Sequence, residues 1–200
     1  MNFPVVTSYM GDSSVVMDAI ATLFFEDGFI VADVTYGKGV FWKNIDTSRF
    51  TFLPSDLFSG DVPAEDGTSL PYDDFSLDVV VIDPPYKQGS GCPMTIDGYN
   101  NNKRKKHGME AVLGLYRDFM EEAWRVLRVD GYMVVKCQDQ IESGKQTRQS
   151  IGVWRMAVEE MGMTDVDMFI QTNSRAPVMR HNYQHHARKN HSVYWVFQKR

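Results

Sequence analysis

The sequence predicts an α/β fold built on a doubly wound, mostly parallel sheet. Three observations carry that prediction. Short apolar runs alternate with segments of helical periodicity along the chain. The clearest run, Leu77-Asp78-Val79-Val80-Val81-Ile82-Asp83, is almost continuously apolar, as a strand covered on both faces requires. A shorter run, Phe29-Ile30-Val31-Ala32-Asp33, also ends in an acid and leads directly into a glycine-containing turn.

Taken in order, Asp12-Ser13-Ser14 caps a helix that reaches about residue 25. Val15, Val16, Ala19, Ile20 and Leu23 recur in it at helical spacing, and Gly28 stops it. Residues 29–33 and 50–53 read as strands, with Asp56 just beyond the second, and residues 77–83 form the third. Residues 87–108 are polar, glycine-rich and basic, and read as a loop of a length that is often functional. Residues 116–128 form an amphipathic helix with Phe119, Met120, Ala123, Trp124 and Leu127 on one face, and Gly131 stands as its C-terminal cap. A strand over 132–137, a helix over 147–161 and strands over 166–171 and 192–197 complete the pattern. The last strand is expected to insert antiparallel.

Two hundred residues fit one domain spanning 1–200, and 43% hydrophobic composition supplies a sizeable core. No run of eighteen or more apolar residues reads as a membrane span. Met1-Asn2-Phe3-Pro4-Val5-Val6 lacks the basic flank and apolar stretch of a signal peptide. Cys92 and Cys137 make no disulfide framework, which fits a reducing cytoplasm. The net charge of −5 argues against a uniformly basic nucleic-acid binder, but the charge is unevenly spread. Residues 1–100 hold 4 Lys/Arg against 15 Asp/Glu; residues 101–200 hold 17 against 11, and no acid follows Asp167. The asymmetry suits either a polyanion-facing side or a solvated basic surface.

Two motifs carry chemistry. Asp33-Val34-Thr35-Tyr36-Gly37-Lys38-Gly39-Val40-Phe41-Trp42 follows a strand directly, and Gly37 and Gly39 allow a tight turn with close backbone approach to a ligand. Trp42 breaks the full G-x-G-x-x-G pattern, and a glycine-rich turn also serves as plain structure. Asp56 lies about twenty residues on, where an acid hydrogen-bonds ribose hydroxyls in a dinucleotide-type site. Asp66 is a candidate for a cofactor's adenine amino group, or equally a solvated loop acid. The second motif is Asp83-Pro84-Pro85-Tyr86 at a strand end, the edge at which open α/β sheets bind ligands. The two prolines donate no N–H, end the strand and hold the Asp83 carboxylate and the Pro84 carbonyl as neighbouring acceptors. An exocyclic amino group offers two donors to such a pair, and Tyr86 offers a flat face for a base.

These residues resemble a known family. Asp83-Pro84-Pro85-Tyr86 is similar to the catalytic motif of amino-methyltransferases, chiefly DNA adenine-N6 enzymes. Asp33-x-Thr-x-Gly-x-Gly resembles their cofactor motif, usually written with Phe where Thr35 stands, and it precedes the catalytic motif as in several groups of the family. Ala187-Arg188-Lys189-Asn190-His191-Ser192 looks like the C-terminal region of bacterial and phage DNA methylases. The resemblance covers nearly the whole chain. It implies a class I S-adenosylmethionine-dependent methyltransferase fold, S-adenosylmethionine as donor, and direct transfer to a base flipped out of DNA in the cytoplasm of a bacterial or phage-infected cell, with no metal. Adenine N6 is favoured, because N4-cytosine enzymes more often carry Ser in place of Asp83. On this basis Asp83, Pro84, Pro85 and Tyr86 are the catalytic candidates. Asp33, Thr35, Tyr36, Gly37, Gly39, Asp56 and Asp66 are the cofactor candidates.

A basic insert over about 87–110 is the candidate for nucleic-acid recognition. Lys87, the run Lys103-Arg104-Lys105-Lys106, and Arg188 and Lys189 are candidates for phosphate contacts, although such runs are also common as solvated surface. An RNA base methyltransferase acting on guanine N2 or adenine N6 is the nearest alternative, and a catalytically silent nucleic-acid-binding subunit is another. His181, His185 and His191 read as surface or nucleic-acid-facing residues before they read as metal ligands. The four tryptophans read as core before base platforms, with Trp42, beside the glycine turn, the exception to watch. Lys136 and Gln138 end a strand on the expected active-site edge.

Overall fold

The computed structural model describes residues 4–86, 108–142, 144–173, 183 and 185–200. The strands are β1 (Ser8–Met10), β2 (Ile30–Asp33), β3 (Thr51–Pro54), β4 (Leu77–Ile82), β5 (Leu127–Cys137), β6 (Gln140–Glu142), β7 (Lys145–Thr147), β8 (Thr164–Thr172) and β9 (His191–Gln198). The helices are α1 (Ser13–Phe24), α2 (Met109–Val126) and α3 (Gln149–Arg155). Seven strands make one sheet in the order β1-β8-β9-β5-β4-β2-β3, and β6 and β7 pair as a separate hairpin. β3, β2, β4 and β5 are mutually parallel. β9 runs antiparallel to both β5 and β8, as expected for the last strand.

Alternation along the strands splits the core into two layers. Val80 and Ile82 of β4 face Tyr116, Phe119 and Met120 of α2. Val79 and Val81 face the layer containing Val16, Met17 and Ile20 of α1. β4 is buried along its whole length, which accounts for its unbroken apolar sequence. Because β2, β4 and β5 are parallel, their C-terminal ends share one edge of the sheet. The start of β9 joins them there, since Val193 pairs with Cys137. So does the N-terminus of α1, because β1 runs parallel to β8, whose end at Thr172 pairs with His191.

Several boundaries differ from the sequence reading. α2 begins seven residues before 116, at Met109, and ends at Val126, so Leu127 is the buried first residue of β5 rather than a helix position. Gly131 is therefore no helix cap but lies inside β5, where a Cβ would come within 3.0 Å of the Arg128 and Asp78 carbonyl oxygens. The helix after β7 is α-helical only to Arg155 and continues as a π-helical turn over Met156–Glu160. Leu23 and Trp124 are exposed rather than facing the core. β1, β6 and β7, three residues each, have no legible period in the sequence. Among the described residues, no helix is long and apolar enough to cross a membrane.

Candidate active site

Asp83 follows β4 directly, and Pro84 and Pro85 after it are buried. The Asp83 N–H donates to Thr35 Oγ1 at 2.7 Å, so the residue after β4 is bonded to the segment after β2. Thr35 also donates weakly to Asp33 Oδ1 at 3.5 Å. The two sequence motifs, forty-eight residues apart in the chain, thus meet through a single hydroxyl. This is the position at which the family pattern usually has Phe, and here the threonine ties the motifs together. The Tyr86 hydroxyl donates to Asp83 Oδ1. Burial, reinforced by the Asp83 charge, holds the Tyr86 phenol well above its ordinary range, so it remains a donor. The Tyr86 carbonyl accepts from Nε2 of the fully buried Gln149 at 2.8 Å, which braces the tetrapeptide against α3.

The other Asp83 oxygen faces a cation. Lys136 Nζ, near the end of β5, lies 2.9 Å from Asp83 Oδ2. It also lies 3.3 Å from Ser13 Oγ at the start of α1. Ser13 Oγ donates to Gln171 Oε1, which also accepts from the Tyr194 hydroxyl at 2.8 Å. Lys136 thus joins the strand-end carboxylate to a buried polar network contributed by α1, β8 and β9. Its polar position at the active-site edge was legible in the sequence, but its partner was not.

The glycine turn is held by an aromatic ring and two buried carboxylates. Gly37 and Gly39 both have left-handed backbone, φ 56° and 65°. A Cβ on Gly39 would sit 2.4 Å from the Tyr36 hydroxyl, so only glycine fits beneath that ring. Asp56 is buried, and Oδ2 accepts the Gly37 N–H at 3.0 Å while Oδ1 accepts those of Phe58 and Ser59, each at 2.8 Å. Asp56 therefore anchors the turn to the end of β3 and keeps about one of its four acceptor positions open. Asp33 lies beneath the turn, buried, accepting from Trp42 Nε1 at 2.6 Å and from the Thr35 N–H at 3.0 Å. Burial raises its pKa to about 7, partly countered by those two donors. Trp42 is accordingly buried and packs on Phe52, with ring centroids 4.4 Å apart.

The remaining candidates are more dispersed. Asp66 Oδ1 accepts from the Thr68 N–H and hydroxyl at 2.9 and 2.7 Å, which shapes its own loop. Arg188 and Lys189 lie just before β9 and so at the same sheet edge as Asp83, with Arg188 Nε buried and without a partner among the described residues. Lys87, Lys103, Arg104, Lys105 and Lys106 lie outside the described residues, as does His181.

A family model described as DNA methylase, of the N6/N4 methyltransferase type, matches residues 77–200, from the start of β4 to the end of the chain. The chain belongs to the DNA methylase family. The fold of this family member is shared by solved structures of low sequence identity. TrmN from Thermus thermophilus matches with a TM-score of 0.58 at 13% identity, covering 94% of this chain and 50% of that one. The PvuII DNA methyltransferase, cytosine-N4-specific, matches at 0.51 and 16% identity, covering 68% and 48%. A SAM-dependent methyltransferase from Methanosarcina mazei matches at 0.54 and 10% identity, covering 90% and 96%. The chain thus spans about half the length of the first two structures. No curated protein matches it significantly. The fold is the class I S-adenosylmethionine-dependent methyltransferase fold, and S-adenosylmethionine is the cofactor of a DNA methylase. The residues present fit that cofactor. A turn with two left-handed glycines stands at a strand end, Asp56 keeps an open acceptor position, and the wholly buried Ser55 Oγ beside it has no partner among the described residues.

Proposed function

We propose that this chain transfers a methyl group from S-adenosylmethionine to the exocyclic amino group of a base in DNA, with adenine N6 as the acceptor. The observation that carries the reading is the 2.7 Å bond from the Asp83 N–H to Thr35 Oγ1, which holds the acceptor tetrapeptide against the glycine turn. In this reading Gly37, Gly39, Tyr36 and Asp56 hold the cofactor, with Asp33 and Thr35 supporting the turn and Asp66 shaping a flanking loop. An aspartate rather than a serine before Pro84 favours adenine N6 over cytosine N4. Residues 1–200 act as one cytoplasmic methyltransferase domain, and the basic residues of the 87–110 insert, with Arg188 and Lys189, contact phosphates.

The target base leaves the stack to present its amino group, and the Tyr86 ring gives it a face to lie against. Each ionised carboxylate oxygen has a second acceptor position, so Asp83 receives an amino N–H without giving up Tyr86 or Lys136. The Pro84 carbonyl takes the other N–H, and this pair turns the nitrogen lone pair away from the ring. Held by Tyr36, Gly37, Gly39 and Asp56, S-adenosylmethionine would supply an electrophilic methyl group, the electron pair of its C–S bond passing to sulfur. The amino nitrogen gains the methyl and releases one proton to solvent. Positioning by Asp83 and Pro84 supplies much of the acceleration.

Methyl transfer from labelled cofactor to unmethylated and methylated DNA and to RNA, with mass spectrometry of the product nucleosides, tests the reading. N6-methyladenine in DNA is the expected product. N4-methylcytosine, or labelling of RNA alone, replaces the substrate assignment. Asp83→Ala should lower transfer at least a hundredfold while cofactor binding persists, and near-normal turnover would remove Asp83 from the chemistry.

A further inference from the structure

We propose that Lys136 is a positioning residue for methyl transfer, fixing the orientation of the Asp83 carboxylate. The inference rests on the reading of Asp83 given above. Lys136 differs from the chain's solvated lysines. Its side chain is 11% exposed, and Nζ lies 2.9 Å from Asp83 Oδ2, whose side chain is 20% exposed. Three rings stand around the ammonium, with centroids 5.2 Å (Phe41), 5.5 Å (Tyr86) and 5.7 Å (Tyr194) away. Ser13 Oγ at 3.3 Å is a further acceptor.

Such a placement is poorly explained by stability alone. Taking an ammonium and a carboxylate out of water is expensive, and apolar side chains of similar volume often do as well. The geometry instead serves the carboxylate. Lys136 takes Oδ2 and the Tyr86 hydroxyl takes Oδ1, so each carboxylate oxygen is held by its own donor. The chemistry also requires an ionised group, because a protonated carboxyl would turn a donor toward an amino group that itself donates twice. Asp83, just after β4, has an ammonium in hydrogen-bonding contact.

The test compares Lys136→Met, Lys136→Arg, Asp83→Ala and the parent protein in single-turnover methyl transfer, steady-state kinetics and cofactor calorimetry. Lys136→Met should lower kcat tenfold or more, with KM for DNA and cofactor affinity within about threefold of the parent, and Lys136→Arg should recover most of the loss. The proposal is overturned if kcat of Lys136→Met is unchanged, if the loss lies in KM or in cofactor affinity, or if Arg does not rescue. Met at 136 leaves a carboxylate unpaired and could prevent folding. The double variant Asp83→Asn/Lys136→Met has no such charge, and it should transfer methyl at the rate of Asp83→Asn alone. A further tenfold drop in the double variant would mean that Lys136 acts on something other than the carboxylate. Near-normal transfer by Asp83→Ala would instead remove the reading of Asp83, and the role of Lys136 with it.

Discussion

Asp33 is buried beneath the glycine turn, with Trp42 Nε1 and the Thr35 N–H as its donors. Burial raises its folded-state pKa to about 7, above the ordinary 3.8. The native protein therefore holds this proton to higher pH than the unfolded chain does. Its contribution to stability is complete below about pH 4 and is lost as pH rises through about 7. Denaturant unfolding of the parent protein and Asp33→Asn should show the parent losing up to roughly 4 kcal/mol relative to the variant across that window. A difference that does not vary with pH would show that Asp33 is ionised throughout. Asp56 shows a second way of using a buried acid. Its carboxylate receives three backbone N–H groups and so shapes the turn proposed to receive the cofactor. Asp56→Ala leaves those donors unpaired and should weaken cofactor binding at least tenfold, as read by calorimetry. Unchanged affinity would exclude it from the site. The sequence pointed to both acids by their place after strands, but it could not show that each is engaged chiefly by the protein's own donors.

The glycine turn is the element in which local sequence and tertiary contact agree most closely. Two glycines after a strand predict left-handed backbone, and both have it. What the sequence does not reveal is the Tyr36 ring folded over Gly39. Gly39→Ala combines that clash with an unfavourable backbone, and should destabilise the protein by about 1–3 kcal/mol and weaken cofactor binding in parallel. A variant of parent-like melting temperature and affinity would show that the ring swings away freely. β5 is the opposite case. Gly131 reads as a helix cap because glycine usually ends helices, yet α2 stops five residues earlier, at Val126, and passes straight into the strand. Asp130 takes the left-handed backbone there, φ 65°, and the β4–β5 register shifts between Leu77 and Val79. Pairing with β4 overrides the local signal.

Across the whole molecule, the sheet order collects one set of groups at one edge: the ends of β2, β4 and β5, the start of α1 and the residues before β9. The cations of the second half of the sequence also lie in part at this edge, in Arg188 and Lys189. If the run Lys103 to Lys106 joins them on DNA, replacing its four cations by neutral residues should flatten the salt dependence of binding by about 0.9 in log–log slope for each phosphate no longer neutralised. An unchanged slope in filter-binding or anisotropy titrations would assign the run to solvent. The sequence by itself determined the alternation of strands and helices, the glycine turn and the acceptor tetrapeptide, because each depends on neighbours within a few residues. Only the tertiary structure decided that Thr35 bonds to Asp83, that Lys136 pairs with the same carboxylate, and that Ser13, Gln171 and Tyr194 complete its surroundings. Those partners are distant in sequence and are brought together by strand order and register, which no local pattern encodes.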